Sequence, residues 1–190
     1  MKWNLFVEGE HDRGFVKFLL KSLDFDDRIQ VQILGGGVSR LRTVSNQIQR
    51  SHDNGRRVAL LLDADSDFAS RRAEVKKEIS RLDLPVLRTF LLPDNEQAGN
   101  LETLLEQMAS VDHQAVYGCL DKYEACLNRL DSKYVLPNQK ARIYAYCEAV
   151  GAKTGPNKDY GCSAHWNQEA APLKQLIRFL RELADSDNRT

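Results

Sequence analysis

Val58-Ala59-Leu60-Leu61-Leu62-Asp63-Ala64-Asp65 is a five-residue apolar run that ends in two carboxylates one residue apart. A continuous run, unlike an apolar/polar alternation, fits a strand covered on both faces, as in a parallel sheet flanked by helices. Ligands of such sheets collect beyond the carboxyl ends of the strands, so Asp63 and Asp65 fall where a site is expected. A period of two sends their side chains out on the same side. Two aspartates held together repel, and a hard divalent cation with oxygen ligands relieves them. The stretch Asp63-Ala64-Asp65-Ser66-Asp67 equally fits a turn that caps the next helix.

Working outward, strands and helices alternate through the first half of the chain. Trp3 to Val7 reads as a short strand running into Glu8-Gly9-Glu10-His11-Asp12. Phe15, Phe18, Leu19 and Leu23 then mark an amphipathic helix by their three- and four-residue spacing. Gln30 to Leu34 is a second strand, Gly35-Gly36-Gly37 a turn, and Val38, Leu41, Val44 and Ile48 a second helix ending near Asn54-Gly55. After the central run, a charged helix spans roughly Ser66 to Leu82, and Pro85 introduces a fourth strand, Val86 to Leu92. This alternation implies right-handed crossovers and a mainly parallel four-stranded sheet with helices on both faces. Beyond Pro93 only helices are expected, near Leu101 to Met108, Gln114 to Leu130, Gln139 to Val150 and Ala171 to Leu183, with a polar loop from Lys153 to Asn167. The expected division is an α/β core over 1–110 and a helical extension over 111–190 packed on it, with a frayed tail from Asp185.

Composition bounds the function. The 190 residues carry 27 basic and 27 acidic side chains, a formal net charge of zero, which is unlike the basic footprint of a general duplex binder. No apolar segment approaches the ~20 residues of a membrane span, and no signal peptide is read at the start, so a cytoplasmic protein is expected. Cys119, Cys126, Cys147 and Cys162 form no Cys-x-x-Cys pair and are read as free thiols.

A parallel sheet brings the ends of the first and third strands to one edge. Glu8 and Asp63 therefore meet, although 55 residues (63 − 8) separate them. Gly9 leaves room for a ligand and tolerates a positive φ at the strand-to-helix turn. Asp12 sits in the first helical turn, facing that edge or simply favoured there by the helix dipole.

Val7-Glu8-Gly9 at the end of a first strand, with Asp63-Ala64-Asp65 at the end of an apolar one, resembles the Toprim domain of topoisomerases, primases and OLD-family nucleases. Leu5-Phe6-Val7-Glu8-Gly9-Glu10-His11-Asp12 and Phe90-Leu91-Leu92-Pro93-Asp94-Asn95 through Leu101-Glu102-Thr103-Leu104-Leu105 resemble small stand-alone Toprim-like proteins distantly related to the OLD nuclease half. The resemblance covers about Lys2 to Leu105 and implies a Toprim/Rossmann-like fold. It also implies roles. Glu8 matches the Toprim glutamate, a general acid/base or a metal-linked carboxylate. Asp63 and Asp65 match the pair that holds Mg²⁺ or Mn²⁺. Asp12 stands where the OLD pattern has a glutamate, one methylene longer, and Glu102 matches the glutamate that serves a second ion. Lys140 is the late lysine that would balance transition-state charge. One or two divalent ions held this way imply hydrolysis of nucleic-acid phosphodiesters, with single-stranded or nicked DNA as the partner. The other reading is a non-catalytic metal- or nucleotide-binding module acting through a protein partner or as a homo-oligomer.

Three further features are weighed. Gly35-Gly36-Gly37 with Arg40 and Arg42 is either a tight turn or, through Gly36, Gly37 and Arg40, a phosphate-binding nest, and Gly9 belongs to the same phosphate-binding expectation. It lacks the Gly-Lys-Ser/Thr of a P-loop. His165-Trp166 either anchors its loop or stacks on a base. His11 either faces solvent or touches the acidic edge.

Overall fold

The computed structural model describes residues 2–130, 134–155 and 158–186. Four strands, β1 (Trp3–Val7), β2 (Ile29–Ile33), β3 (Arg57–Asp63) and β4 (Val86–Leu92), form one parallel sheet in the order β2-β1-β3-β4. The helices connecting them are α1 (Glu10–Ser22), α2 (Leu41–Asp53) and α3 (Phe68–Arg81). Then come α4 (Leu101–Gln107), α5 (Gln114–Arg129), α6 (Gln139–Val150) and α7 (Ala171–Asp185). The fold is α/β, with helices on both faces and a helical C-terminal half. Residues 187–190 of the expected tail lie outside the described residues.

The strands read as apolar runs because both of their faces are covered. Leu5 and Val7 of β1, Ala59 and Leu61 of β3, and Phe90 and Leu92 of β4 pack with α1, α4, α6 and α7. Phe6, Val58, Leu60, Leu62 and Leu91 point the other way, into a second cluster with Leu41 and Ile48 of α2 and Val75 of α3. Tyr146 of α6 and Leu173, Leu176 and Leu180 of α7 belong to the first cluster, so the C-terminal helices share a core with the sheet.

Several boundaries differ from expectation. β2 begins and ends one residue early, and α3 starts at Phe68 because the Asp67 side chain accepts the Ser70 N–H at 2.9 Å and fixes the cap there. The 153–167 loop is polar in composition, yet it places Tyr160, Trp166 and Lys158 in the interior.

The chain leaves β1 toward one side of the sheet, to β2, and leaves β3 toward the other, to β4. Its winding therefore reverses between β1 and β3, and the crevice beyond that pair is where open α/β sheets bind ligands. The tip of β3 is tied across this crevice to Gly99. Asp65 N–H donates to the Gly99 carbonyl at 2.8 Å and Gly99 N–H returns the bond at 2.7 Å. Gly99 has φ +142°, and a Cβ there would lie 2.8 Å from Thr103 Oγ1 and 3.0 Å from Pro93 Cδ. Gly99→Ala is expected to cost about 1–3 kcal/mol through backbone strain alone, measured by urea unfolding. An unchanged midpoint would show that the loop relaxes freely.

Candidate functional site

Glu8 is the first residue after β1, and its Oε1 accepts the N–H of Asp63, the last residue of β3, at 3.1 Å. Asp63 Oδ1 in turn accepts the Leu101 N–H at the start of α4, at 3.2 Å. Asp12, buried in the first turn of α1, accepts the Gly9 N–H on Oδ2 at 2.8 Å. Glu102 stands in the first turn of α4, whose start is set by Asn100 accepting from Thr103 N–H at 2.9 Å. These four acids line one open pocket of about 470 Å³, with His11 and Lys140 also in its wall. A larger cavity of about 610 Å³ lies at the amino ends of the strands, beside Lys17, Lys21 and Arg56. The acidic pocket is the candidate because it occupies the reversal crevice and gathers titratable groups.

The acids perturb one another. Burial, followed by the fields of Asp12, Glu8, Glu102 and Asp65, pushes the Asp63 carboxyl up to about 9. Burial and the fields of Glu8 and Glu102 push Asp12 up to about 6, against the stabilising Gly9 N–H. Glu8 is raised by burial, offset in part by the Asp63 N–H and by Arg71. His11 is lowered, first by burial and then by Lys140 and Lys158, and its Nε2 lies 3.4 Å from the Tyr144 hydroxyl.

Asp65 departs from the period-of-two expectation. β3 ends at Asp63, and Asp65 takes φ +54°, a left-handed conformation that aspartate tolerates. Its side chain is 56% exposed and pairs with Arg71 Nη2 at 2.5 Å, and it does not line the pocket. Gly9 needs no positive φ either. It is extended at φ −147°, and a Cβ would meet only Asp12 Oδ2 at an ordinary 3.6 Å.

The phosphate nest is likewise not formed as expected. The N–H groups of Gly35 and Gly36 both donate to the Glu8 carbonyl, at 3.1 and 3.0 Å, so they are committed within the protein. Gly37 is small for a different reason. A Cβ there would sit 3.0 Å from Arg71 Nη2 and 3.3 Å from Glu8 Oε2, so the glycine makes room for that pair. Arg40 and Arg42 are exposed. Trp166 is fully buried and cannot stack on a base, since it packs against Tyr146 and Tyr160 and anchors its loop to the core. Lys140 is exposed at the pocket rim, near the start of α6.

Three residues at the site carried no sequence signal that singled them out. Arg71 is only 15% exposed, with Nη2 3.6 Å from Glu8 Oε1 and Nε donating to the Asp63 carbonyl at 3.0 Å. It lies four residues past the Asp67 cap, where a basic residue in a charged helix looks like any other. Gly99 opens the Gly99-Asn100-Leu101-Glu102 part of the stretch that resembles the stand-alone Toprim-like proteins, but that resemblance attaches no role to it. Lys158 is buried, donates to the Gly155 carbonyl at 2.8 Å, and holds Nζ 5.1 Å from the Tyr144 ring centre.

A family model described as "Protein of unknown function (DUF3226)" matches residues 2–185. The chain belongs to the DUF3226 family. The match runs through both halves, so in DUF3226 the acidic crevice and the helices behind it fall within one family unit. No curated protein and no solved structure matches the chain.

The raised acids set a pH dependence for the metal-free protein. A carboxyl whose folded pKa exceeds its unfolded value, ordinarily about 3.9, binds more protons folded than unfolded, so its contribution to stability is lost as pH rises through the folded value. Between pH 4 and 6, through Asp12, and on toward 9, through Asp63, stability should fall, by at least about 3 kcal/mol in all. Asp63→Asn keeps an acceptor for the Leu101 N–H and needs no proton taken up on folding, so it should raise the melting temperature at pH 8 in chelator. A wild-type stability that rises over this range would show that the acids are not mutually repelling.

Proposed function

We propose that this protein is a divalent-metal-dependent hydrolase of nucleic-acid phosphodiester bonds, using Mg²⁺ or Mn²⁺ at the tips of β1 and β3. The observation that carries this reading is the gathering of Glu8, Asp12, Asp63 and Glu102 on one pocket at the reversal crevice, where burial and then the neighbouring acids push the Asp63 carboxyl to about 9. The resemblance of the same residues to the Toprim and OLD-type pattern supports it.

The residue set can be tested against the ion. All four side chains offer hard carboxylate oxygens, the donors that Mg²⁺ and Mn²⁺ take. Among the described residues no three His, Cys, Asp or Glu side chains are grouped closely enough to hold a metal ion as they stand. Charge favours a cation here and protons fill that part without one, so the chemistry of the set fits. Glu8, Asp63, Asp12 and Glu102 would hold one or two ions, and Asp65, turned to Arg71, would have to rotate in order to join them. Bound there, a divalent ion supplies Lewis acidity toward a phosphoryl oxygen and a water molecule.

The rest of the chemistry belongs to the chain. Glu8 keeps Oε1 on the Asp63 N–H, which leaves Oε2 to take or return a proton, and its raised pKa suits that exchange. The Gly9 N–H on Asp12 and the Leu101 N–H on Asp63 fix both carboxylates so that little reorganisation accompanies binding. Lys140 at the rim offers positive charge to a phosphate, and exposed Arg40 and Arg42 offer backbone contacts. With zero net charge the chain lacks a long basic face, which favours single-stranded or nicked DNA over intact duplex.

A second reading draws on Arg71. Its guanidinium is already placed on Glu8 and Asp65, which neutralises part of the cluster from within and favours a site that binds a metal or nucleotide without turning it over.

Two measurements separate these readings. Mn²⁺ should raise the melting temperature, with a stabilisation of about 2.7 kcal/mol at a hundredfold excess over Kd, and Asp63→Asn should abolish that response. Incubation with single-stranded, nicked and linear DNA across both metals should give cleavage, and Glu8→Gln should reduce it by about a hundredfold or more without altering the circular dichroism. Metal-dependent melting without any cleavage would favour the binding module, and no metal response would dismiss the hydrolase and leave the module only with a nucleotide to bind.

A further inference from the structure

The two edges of the sheet are built differently. At β4 the pairing with β3 slips between Val58 and Ala59, which leaves Leu87 as an extra residue in a bulge, and the next residue is charged Arg88. Further along, Asn95 closes the same edge, its side chain accepting the Leu91 N–H at 3.1 Å and its own N–H donating to the Leu91 carbonyl at 2.7 Å. Bulges, charges and capping side chains are how proteins prevent unwanted strand pairing.

β2 has none of these devices. Its sequence Ile29-Gln30-Val31-Gln32-Ile33 is uncharged, free of proline and glycine, and paired in unbroken register with β1. Trp3 N–H bonds the Arg28 carbonyl and Leu34 N–H bonds the Val7 carbonyl, so the even-numbered residues turn their backbone groups toward β1 and the odd-numbered ones turn theirs outward. The Ile29 N–H is taken by the Phe25 carbonyl. Among the described residues nothing bonds the outward carbonyl of Ile29 or the outward N–H and carbonyl of Val31 and Ile33. The 610 Å³ cavity runs along Ile29, Gln30 and Val31 and leaves space beside this edge.

We propose that a second copy of this chain docks on the edge, β2 against β2, antiparallel about a twofold axis at Val31. The order Ile-Gln-Val-Gln-Ile reads the same in both directions, so the twofold puts Val31 opposite Val31, Ile29 opposite Ile33 and Gln30 opposite Gln32 of the second copy. An isologous contact requires this self-complementarity. The outward groups then close four bonds, two between the valines and two from Ile33 N–H to the Ile29 carbonyl of the other copy. Five strand residues do not bury the ~800 Å² per partner of a standard interface, so α1 and α2, which flank β2, supply the remainder and the dimer is of moderate affinity. Continued past Ile33, the pairing brings the Asp26 to Arg28 turn of the second copy beside Gly35, a wall of the acidic pocket.

The test is sedimentation velocity on the full chain over a range of concentrations, with a dimer of twice 21.6 kDa expected. Gln30→Lys with Gln32→Lys faces lysine with lysine across the axis and should weaken the dimer by about tenfold or more. Gln30→Lys with Gln32→Glu faces lysine with glutamate in the same register and should restore it. Both positions are solvent-accessible, and a circular dichroism spectrum matching the parent confirms folding of each variant. A wild-type monomer at the highest soluble concentration, a dimer indifferent to the double lysine variant, or a charge-swapped variant that stays monomeric would each overturn the proposal.

Discussion

The pairing of β1 with β3 is the constraint from which the rest of the site follows. In-register parallel pairing sets Val7 beside Leu61, so Glu8, one residue past the end of β1, meets Asp63, two residues further along β3. The hydrogen bond from Asp63 N–H to Glu8 Oε1 is the visible result. Two further helix starts are then drawn to the same place, α1 because it follows Glu8 by one residue and α4 because Gly99 is bridged to Asp65. Each brings an acid, Asp12 and Glu102, so the topology itself concentrates negative charge.

Such a concentration raises the energy of the folded state, and the protein offsets it in three ways. Backbone N–H groups of Gly9, Asp63 and Leu101 each face a carboxylate. Arg71 inserts its guanidinium behind Glu8 and Asp65, through the gap that Gly37 leaves open. The remaining imbalance appears as proton affinity, which is why the most surrounded carboxyl, Asp63, is displaced furthest. Perturbed carboxyls in a crevice are the pattern that the proposed chemistry calls for. A structural ion-pair network would have matched every acid with a base, and here Asp12, Asp63 and Glu102 have none bonded to them among the described residues.

The sheet, its parallel sense and the helix alternation were legible because burial on both faces forces apolar runs such as Val58 to Leu62. The placement of Glu8, Asp12 and Asp63 at one edge was legible because strand and helix ends fix the positions of their backbones, whereas Glu102 was singled out only by the family resemblance. Asp65 was misplaced because its orientation depends on one left-handed residue beyond the strand, which a period of two does not describe. The glycines 35–37 left a tight turn and a phosphate cradle both open, and what decides for the turn, the Glu8 carbonyl that takes the Gly35 and Gly36 N–H groups, was a tertiary fact. For Trp166 the same kind of choice, between anchoring its loop and stacking on a base, is decided for the anchor by its complete burial.

The helical C-terminal half does more than cover one face of the sheet, because the back of the acidic pocket leans on it. His11 meets the Tyr144 hydroxyl of α6, and the buried Tyr160 hydroxyl, which has no hydrogen-bond partner, lies within the field of Asp12 and Glu102. Lys158 lies within the field of Glu102, and burial lowers its pKa. A core cut after residue 110 would expose Leu104, Leu105 and Met108 of the segment that delivers Glu102, all of which now face Tyr146 and Trp166 within one hydrophobic cluster. The position of Glu102 is thus set by packing in the second half as much as by the cap at Asn100. The acidic site is therefore a property of the whole chain, in which the sheet places two carboxylates and the helical half holds the others against them.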